Sequence, residues 1–180
     1  AIGSPNDAKF AEQWSHAKVG SQTAWSQITG DRSVVVAVVD TGVDYKHPDL
    51  AANMYVNNLE IAGNGKDDDN NGYVDDYYGW DFFDDDNDPT DETSSANQGH
   101  GTHCAGIIGA VGNNGIGVVG SSQQVTIMPV RFLGPKGEGG LVGAVKAIDY
   151  AVENGADVIS ASFGVEATAA QVAPLLEAIE

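Results

Sequence analysis

One run of residues restricts the fold of this chain more than any other feature. Residues 33–39 read Ser-Val-Val-Val-Ala-Val-Val, and the tripeptide that follows begins with Asp40. Apolar residues at successive positions predict a strand that is buried on both faces, which is typical of the centre of a parallel sheet. Residues 125–130 and 156–160 have the same character, so the chain contains at least three such strands.

A helix is predicted between the last two of these strands. Leu141, Val145, Ile148 and Val152 recur at helical spacing, and Gly155 stands where a helix commonly ends. Strand, helix and strand with short connections form a βαβ unit. We therefore predict an α/β fold, in which a mainly parallel sheet has helices on both faces.

The two ends of the chain are predicted to be helical. Residues 1–30 favour surface helices, because Phe10 and Trp14 are four positions apart. Residues 168–180 have an apolar face, but Pro174 should break or shorten that helix. The apolar pattern then stops without a capping residue, so we expect the sheet to be incomplete at its C-terminal end.

Charge and composition exclude several classes of function. The net charge is −18, which disfavours nucleic-acid binding because phosphates need a basic surface. No apolar run approaches the roughly 18 residues of a membrane-spanning helix. The chain does not open on a basic and apolar leader, so any signal or pro-segment is expected to be already removed or never included. The single cysteine, Cys104, cannot form an internal disulfide and favours either a small buried residue or a reactive thiol.

The acidic residues are concentrated in one segment. Half of them lie between Glu60 and Glu92, with Lys66 as the only basic residue in that span. Residues 63–92 lack a long apolar period and are predicted to be a loop that either binds cations or is simply solvated. For the acidic cluster at residues 84–88 both alternatives stay open.

Part of this loop has the spacing of a calcium-binding loop. Alternate oxygen-bearing side chains precede Gly72, which permits a sharp bend. The twelfth position is Tyr78 and not glutamate, so this is not a complete EF-hand. The predicted ligands are Asp67, Asp69, Asn71, the Tyr73 carbonyl, and Asp75 or Asp76.

Two short motifs carry candidate catalytic residues. Asp40 stands at a strand end before a glycine turn, where it is either functional or caps the next segment. His100 is flanked by glycines that permit close backbone approach, and it stands at the start of an apolar helix. His103 shares a helix face with His100, so a zinc site is an alternative for that pair.

Together the two motifs resemble those of the subtilisin-like serine protease family, most closely its thermitase-like and proteinase K-like branches. Residues 38–44 match the aspartate signature of the family, and residues 100–106 match its histidine signature. The resemblance implies that Asp40 orients His100, which is the general base of an Asp-His-Ser triad that cleaves polypeptides. It also implies that two segments bracket an extended substrate chain: Gly137, Glu138 and Gly139 on one side, and Ser162, Phe163 and Gly164 on the other.

The match to the family stops before its nucleophile. Nothing resembles the Gly-Thr-Ser-x-Ala segment of the family or its oxyanion-hole asparagine, and residues 166–173 fit poorly. We therefore expect residues 1–180 to be the N-terminal part of one catalytic domain, with 63–92 as an acidic calcium-loop insertion. The remaining C-terminal part would be a second chain or a missing segment, unless the chain is a fragment that folds only partly.

The resemblance also implies a calcium site near the N-terminus and a secreted protein. Two or more Ca²⁺ ions are expected in total. This site would use side-chain oxygens of Asp7, Asp49 and Asn114, with carbonyl groups of Val111, Ile116 and Val118. Two rival hypotheses remain open: a non-catalytic, calcium-dependent binding scaffold derived from the protease fold, and a metal-dependent hydrolase that uses His100 and His103.

Overall fold

The computed structural model describes residues 4–179 and contains a parallel sheet of four strands in the order β2-β3-β1-β4. The strands are β1 (Gly30–Asp40), β2 (Trp80–Asp81), β3 (Gln124–Arg131) and β4 (Val158–Ser160). Long β1 and β3 pair in the centre, as their apolar sequences predict. The predicted α/β class with a parallel sheet is confirmed.

Five helices accompany the sheet within the described residues: α1 (Trp14–Val19), α2 (Ser21–Trp25), α3 (His100–Gly109), α4 (Leu141–Glu153) and α5 (Ala173–Ile179). Short 3₁₀ turns occur at Phe10–Glu12 and Ala51–Asn53. In this part of the chain no helix has the length and apolarity needed to cross a bilayer.

The two faces of the sheet form separate cores. On one face Ala37 and Val39 of β1 pack with Ala147 of α4. On the other face Val38 packs with Ala105 of α3. Because side chains alternate along a strand, the continuous apolar run of β1 supplies both cores, and the predicted helices on both faces are present.

Three local predictions were wrong or imprecise. Strand β2 lies inside the segment predicted to be entirely loop, because two residues are too short to show a period. Phe10 and Trp14 do not share one helix: Phe10 lies in a 3₁₀ turn and packs near Trp25, while Trp14 is exposed. The last helix begins only at Ala173, so that Pro174 falls in its first turn, where a missing N–H is tolerated. Residues 1–3 and 180 of the predicted helices lie outside the described residues.

Candidate active site

Asp40 and His100 meet at the carboxyl edge of the sheet. Asp40 is the last residue of β1, and His100 is the first residue of α3. The Asp40 Oδ1 atom lies 2.7 Å from His100 Nδ1, and it also accepts the Thr41 amide at 2.7 Å. The Asp40 side chain is 1 % exposed, whereas that of His100 is 52 % exposed. A carboxylate shielded from water therefore holds an imidazole ring whose opposite edge is exposed to solvent.

Glycines are required for this approach of strand to helix. A Cβ atom added to Gly101 would stand 2.1 Å from the carbonyl oxygen of Gly42. Gly42 has φ of 100°, and a Cβ there would stand 2.6 Å from the Pro89 carbonyl oxygen. A side chain at Gly101 would push α3 away from the end of β1, and one at Gly42 would displace the backbone at Pro89 and Thr90. The sequence prediction of close backbone approach beside His100 agrees with this geometry.

Side chains from outside α3 satisfy the amides at its start. The Oδ1 atom of Asn97 accepts the amides of Gly99 and His100 at 3.0 and 2.8 Å. The Thr41 hydroxyl accepts the Gly101 amide at 3.0 Å, and Asp91 accepts the next amide along the helix. These bonds replace the capping side chain that Gly99 lacks. Sequence reasoning missed Asn97 and Asp91, although an asparagine three residues before His100 is a recognisable capping signal.

A cleft of about 490 Å³ opens beside His100. Five of the six predicted substrate-binding residues line it: Gly137, Gly139, Ser162, Phe163 and Gly164. The sixth, Glu138, does not, and its carboxylate instead accepts the Lys136 amide at 2.8 Å. The cleft also includes residues that sequence reasoning did not select, among them Leu133, Val172 and Leu175, which arrive from distant parts of the chain.

Cys104 lies one helical turn beyond His100. Its thiol, the His100 ring and the Asp40 carboxylate bring candidate ligand atoms within 4.8 Å of one another. Burial raises the pKa of this thiol, and the Asp40 charge adds to the increase. A raised pKa leaves little thiolate at neutral pH, which favours the interpretation of Cys104 as a packed small residue. His103 is exposed, and among residues 4–179 it joins neither group of clustered metal-ligand side chains.

The three side chains predicted as ligands of the N-terminal calcium site come together at the loop after α3, and the predicted carbonyl ligands of Val111, Ile116 and Val118 stay predictions. Asp7 and Asp49 are both buried and both contact the loop after α3. The Asn114 amide donates to Asp49 Oδ1 at 2.6 Å, the Val118 amide donates to Asp49 Oδ2 at 2.8 Å, and Asp7 accepts the Asn113 amide at 2.9 Å. Two further backbone bonds complete the arrangement, from Val111 to the Asp49 carbonyl and from Ile116 to the Asn114 side chain.

The predicted ligands of the acidic loop are brought together only in part. Asp67 and Asp69 lie within 4.8 Å of each other and of Glu60, a residue that sequence reasoning missed. Asn71 adjoins them, since its amide lies 3.0 Å from Asp69 Oδ1. Glu60 is 5 % exposed, and its Oε2 atom has no hydrogen-bond partner. A buried carboxylate that has one unpartnered oxygen and lies beside two further carboxylates supplies the kind of oxygen donors that a hard cation prefers.

Of the remaining predicted ligands, Asp76 also adjoins Asn71, whose side-chain amide donates to Asp76 Oδ2 at 2.9 Å, and the Tyr73 carbonyl stays a prediction. Asp75 accepts the amides of Asn64 and Gly65 at 3.0 and 2.7 Å. Asp76 accepts the Tyr150 hydroxyl at 2.7 Å, and burial raises the pKa of its carboxyl group. The Tyr73 side chain packs among aromatic rings of the core.

Comparison with known proteins places these features in one family. The sequence profile of the subtilase family matches residues 31–179. Thermitase of Thermoactinomyces vulgaris is 37% identical over 161 residues, which cover 89% of this chain and 48% of thermitase. The halolysin-like extracellular serine protease Nep of Natrialba magadii is 38% identical over 160 residues, 89% of this chain and 26% of Nep.

Solved structures agree with the sequence relatives. A protease from Pseudoalteromonas arctica has a TM-score of 0.70 and 30% identity, covering 98% of this chain and 56% of that protein. The chain spans less than half of the length of the two sequence relatives named above. The matched region contains the Asp40–His100 pair, the glycines around it and the cleft. The chain therefore belongs to the subtilase family of subtilisin-like serine proteases.

Proposed function

We propose that this chain supplies the aspartate and the histidine of a serine endopeptidase that works through an Asp-His-Ser triad. The serine and the oxyanion asparagine would come from a segment outside these 180 residues. The observation that carries the proposal is the 2.7 Å contact between buried Asp40 and half-exposed His100, at the mouth of the cleft.

The geometry of the pair supports a different role for each of the two side chains. Because Asp40 Oδ1 is an acceptor, Nδ1 of the neutral His100 ring carries its hydrogen, and Nε2 is left as the base. His100 takes the proton of the serine hydroxyl during attack and returns it to the leaving amine. The Asp40 carboxylate, shielded from water, orients the ring and stabilises the imidazolium form.

The substrate in this proposal is an extended polypeptide. Gly137 and Gly139 line one part of the cleft, and residues 162–164 line another. The glycines of the two segments leave backbone groups accessible, and the Phe163 ring packs against Phe132, so a peptide can bind between the segments as an added strand. Glu138 would contribute through its backbone only.

Uncovered apolar surface supports the proposal that a further segment completes the domain. Strand β4 is at the edge of the sheet, and Val158 on it is 51% exposed. Ile107 of α3 is 57% exposed and lines a second cleft of about 790 Å³ together with His103. Sheet edges and apolar helix faces of this kind are normally covered in a finished domain.

A serine-directed phosphonylating reagent tests the division of the triad. We expect no labelling of the 180-residue chain alone, since no serine hydroxyl among residues 4–179 bonds the His100 ring, and burial raises the pKa of the neighbouring Cys104 thiol. When the chain is combined with the serine-bearing segment of its natural protein, we expect stoichiometric labelling of that segment and cleavage of a denatured protein substrate.

Mass spectrometry of the labelled material distinguishes the outcomes. A phosphonylated residue within positions 1–180 contradicts the incomplete site. A natural protein that has no serine-bearing segment, or that binds peptides without cleaving them, favours the non-catalytic binding scaffold.

We also propose that the chain binds two or more Ca²⁺ ions and acts outside the cell. Asp7, Asp49 and Asn114 would hold one ion, which would fasten the N-terminal segment to the loop after α3. Glu60, Asp67, Asp69 and Asn71 would hold another in the acidic loop. The extracellular location is supported by the name of the relative Nep, a halolysin-like extracellular serine protease. Bound calcium would screen clustered carboxylates and stabilise the folded state.

Glu60→Gln tests the acidic-loop site with little change of shape. In the native chain Oε1 of Glu60 accepts the amides of Asp68 and Asp69, and glutamine can keep both bonds. The substitution replaces only the unpartnered Oε2 oxygen. With calcium at about 100 times its Kd, the native site gains about 2.7 kcal/mol, or roughly 5–10 °C in Tm for a chain of this size.

We expect differential scanning calorimetry to show that calcium raises the Tm of Glu60→Gln by clearly less than that of the native chain. Asp85→Asn is the matched control, because it removes one charge from the same loop at an exposed position with positive φ that asparagine tolerates. Equal calcium responses in Glu60→Gln and in the native chain would exclude Glu60 as a ligand.

A further inference from the structure

A third buried carboxylate, Asp91, lies behind the Asp40–His100 pair. We propose that Asp91 is a positioning residue, which holds the backbone next to Asp40 and the start of the helix that carries His100 in one fixed relation. The inference rests on the proposed roles of Asp40 and His100, and it adds a residue outside both sequence motifs.

Asp91 accepts four hydrogen bonds and is 7 % exposed. Its Oδ1 atom accepts the Thr41 hydroxyl at 3.0 Å and the Asn97 side-chain amide at 2.9 Å. Its Oδ2 atom accepts both the amide and the hydroxyl of Thr102, at 2.9 and 2.8 Å. No salt bridge to Asp91 occurs among residues 4–179, so neutral donors alone surround it.

The link from Asp91 to Asp40 passes through Thr41. The Thr41 hydroxyl accepts the Gly101 amide at 3.0 Å, so its own hydrogen is free only to point at Asp91. Thr41 is also bonded to Asp40, since its amide donates to Asp40 Oδ1. Asp91, the acceptor at the end of these bonds, therefore sets the direction in which the Thr41 hydroxyl donates its hydrogen.

The link from Asp91 to His100 passes through the start of α3. Asp91 orients the Asn97 side chain, whose oxygen then accepts the His100 amide at 2.8 Å. Asp91 also bonds Thr102 directly, and the Thr102 hydroxyl in turn accepts the Asp44 amide at 2.9 Å. The first three amides of α3 thus depend on one carboxylate or on residues that it orients.

Ionised carboxylate is the species that suits this position. All four partners donate to Asp91, and its charge faces the positive end of the α3 dipole. An asparagine at this position would point its amide hydrogens at two donor groups. A protonated carboxyl group would point its one hydrogen at a donor group. Loss of the charge would therefore weaken two links together, the one to Thr41 beside Asp40 and the one to the start of α3. It would remove no atom that contacts a substrate.

The predicted effect is a local change in the Asp40–His100 bond. The measurement is proton NMR of the 180-residue chain, which reports the low-field resonance of the His100 Nδ1 hydrogen together with backbone amide exchange. We expect Asp91→Asn to broaden this resonance or shift it upfield. We also expect the amides of His100, Gly101 and Thr102 to exchange about fivefold faster or more, because each lost bond contributes about 1 kcal/mol.

Further variants separate positioning from general destabilisation. Thr41→Val removes the hydroxyl that joins Asp91 to the pair and should reproduce the change, whereas Thr41→Ser keeps a hydroxyl and should restore the native resonance. Asp85→Asn removes an equal charge from the same loop and should leave the His100 resonance unaltered. Amides in the centre of the sheet, such as those of Val38 and Val130, should exchange at native rates in all variants.

A native His100 resonance in both Asp91→Asn and Thr41→Val would overturn the proposal. Equal acceleration of exchange at every amide in those variants would also overturn it, because Asp91 would then be a general stabilising residue. If Asp91→Asn does not fold, the Thr41→Val and Thr41→Ser comparison still decides. None of these readouts needs the serine, so a failure of the proposed proteolysis would be recognised separately by the labelling experiment.

Discussion

Asp40→Ala should lower kcat of the completed protease by about 10⁴-fold, the magnitude that loss of a triad aspartate has in other serine proteases. Without Asp40 the His100 ring loses its only acceptor at Nδ1 among the described residues, and both its tautomer and its orientation become free. The imidazolium that forms during attack also loses the adjacent negative charge. The kcat of the native chain and that of Asp40→Ala would each be measured with the chain combined with its serine-bearing segment.

The division of the effect between kcat and KM identifies its origin. Asp40 is buried and does not line the cleft, so KM for a peptide ester should change little while kcat falls. Asp44→Asn is the control: it lies in the same sequence motif, but its carboxylate accepts only the exposed Lys46 amide at 3.1 Å. Near-native kcat in Asp40→Ala would show that the pair at the sheet edge is not catalytic.

Arg131→Met is expected to have the largest effect on stability, about 3–5 kcal/mol of the free energy of unfolding. Arg131 ends β3 beside Asp40 and is 2 % exposed. Its guanidinium bonds Asp81, which is 0 % exposed, and two half-exposed carboxylates, Asp84 and Glu92. Burial opposes the charge of Arg131, but the Asp81 carboxylate more than compensates, so the pKa of the guanidinium is raised. Removing Arg131 leaves a buried carboxylate without a cation.

Urea denaturation with an unchanged m-value measures this effect. Asp84→Asn removes a solvated partner of the same guanidinium and should cost less than about 1 kcal/mol. The double variant Arg131→Met with Asp81→Asn should recover much of the loss, because it leaves no unpaired buried charge and the asparagine oxygen still accepts the amides of Phe83 and Asp84. A loss from Arg131→Met no larger than that from Asp84→Asn would contradict the argument.

The acidic segment and the active site are connected through Arg131. Its three carboxylate partners lie at the end of β2 (Asp81) and in the segment that follows it (Asp84 and Glu92), and Phe83 packs against the guanidinium. The same segment carries Asp91 and Asn97, which fix the start of α3. These ion pairs therefore stabilise the segment that positions the Asp40–His100 pair, and their role differs from that of the proposed calcium ligands farther upstream in the loop.

The elements that were predicted correctly are those whose pattern lies within a short stretch of sequence. The apolar run of β1, the helical spacing of α4 and Gly155, which has φ of 81° as a helix-ending residue should, are each contained in a short window. The two glycine-flanked motifs likewise name Asp40 and His100 without any knowledge of distant residues. For Asp75 the same reasoning was less successful, because spacing does not show which way a carboxylate points.

The sequence alone therefore determined the α/β class, the subtilase resemblance and the two residues at the centre of the site. Only the tertiary structure identified Glu60, Asp91 and Arg131 as members of buried clusters. Each of these side chains obtains its environment from segments far away in the chain, and no local pattern records such contacts. The energetic effect of a buried charge depends on the groups that pair with it. Both the burial and the pairing arise only when the fold is complete.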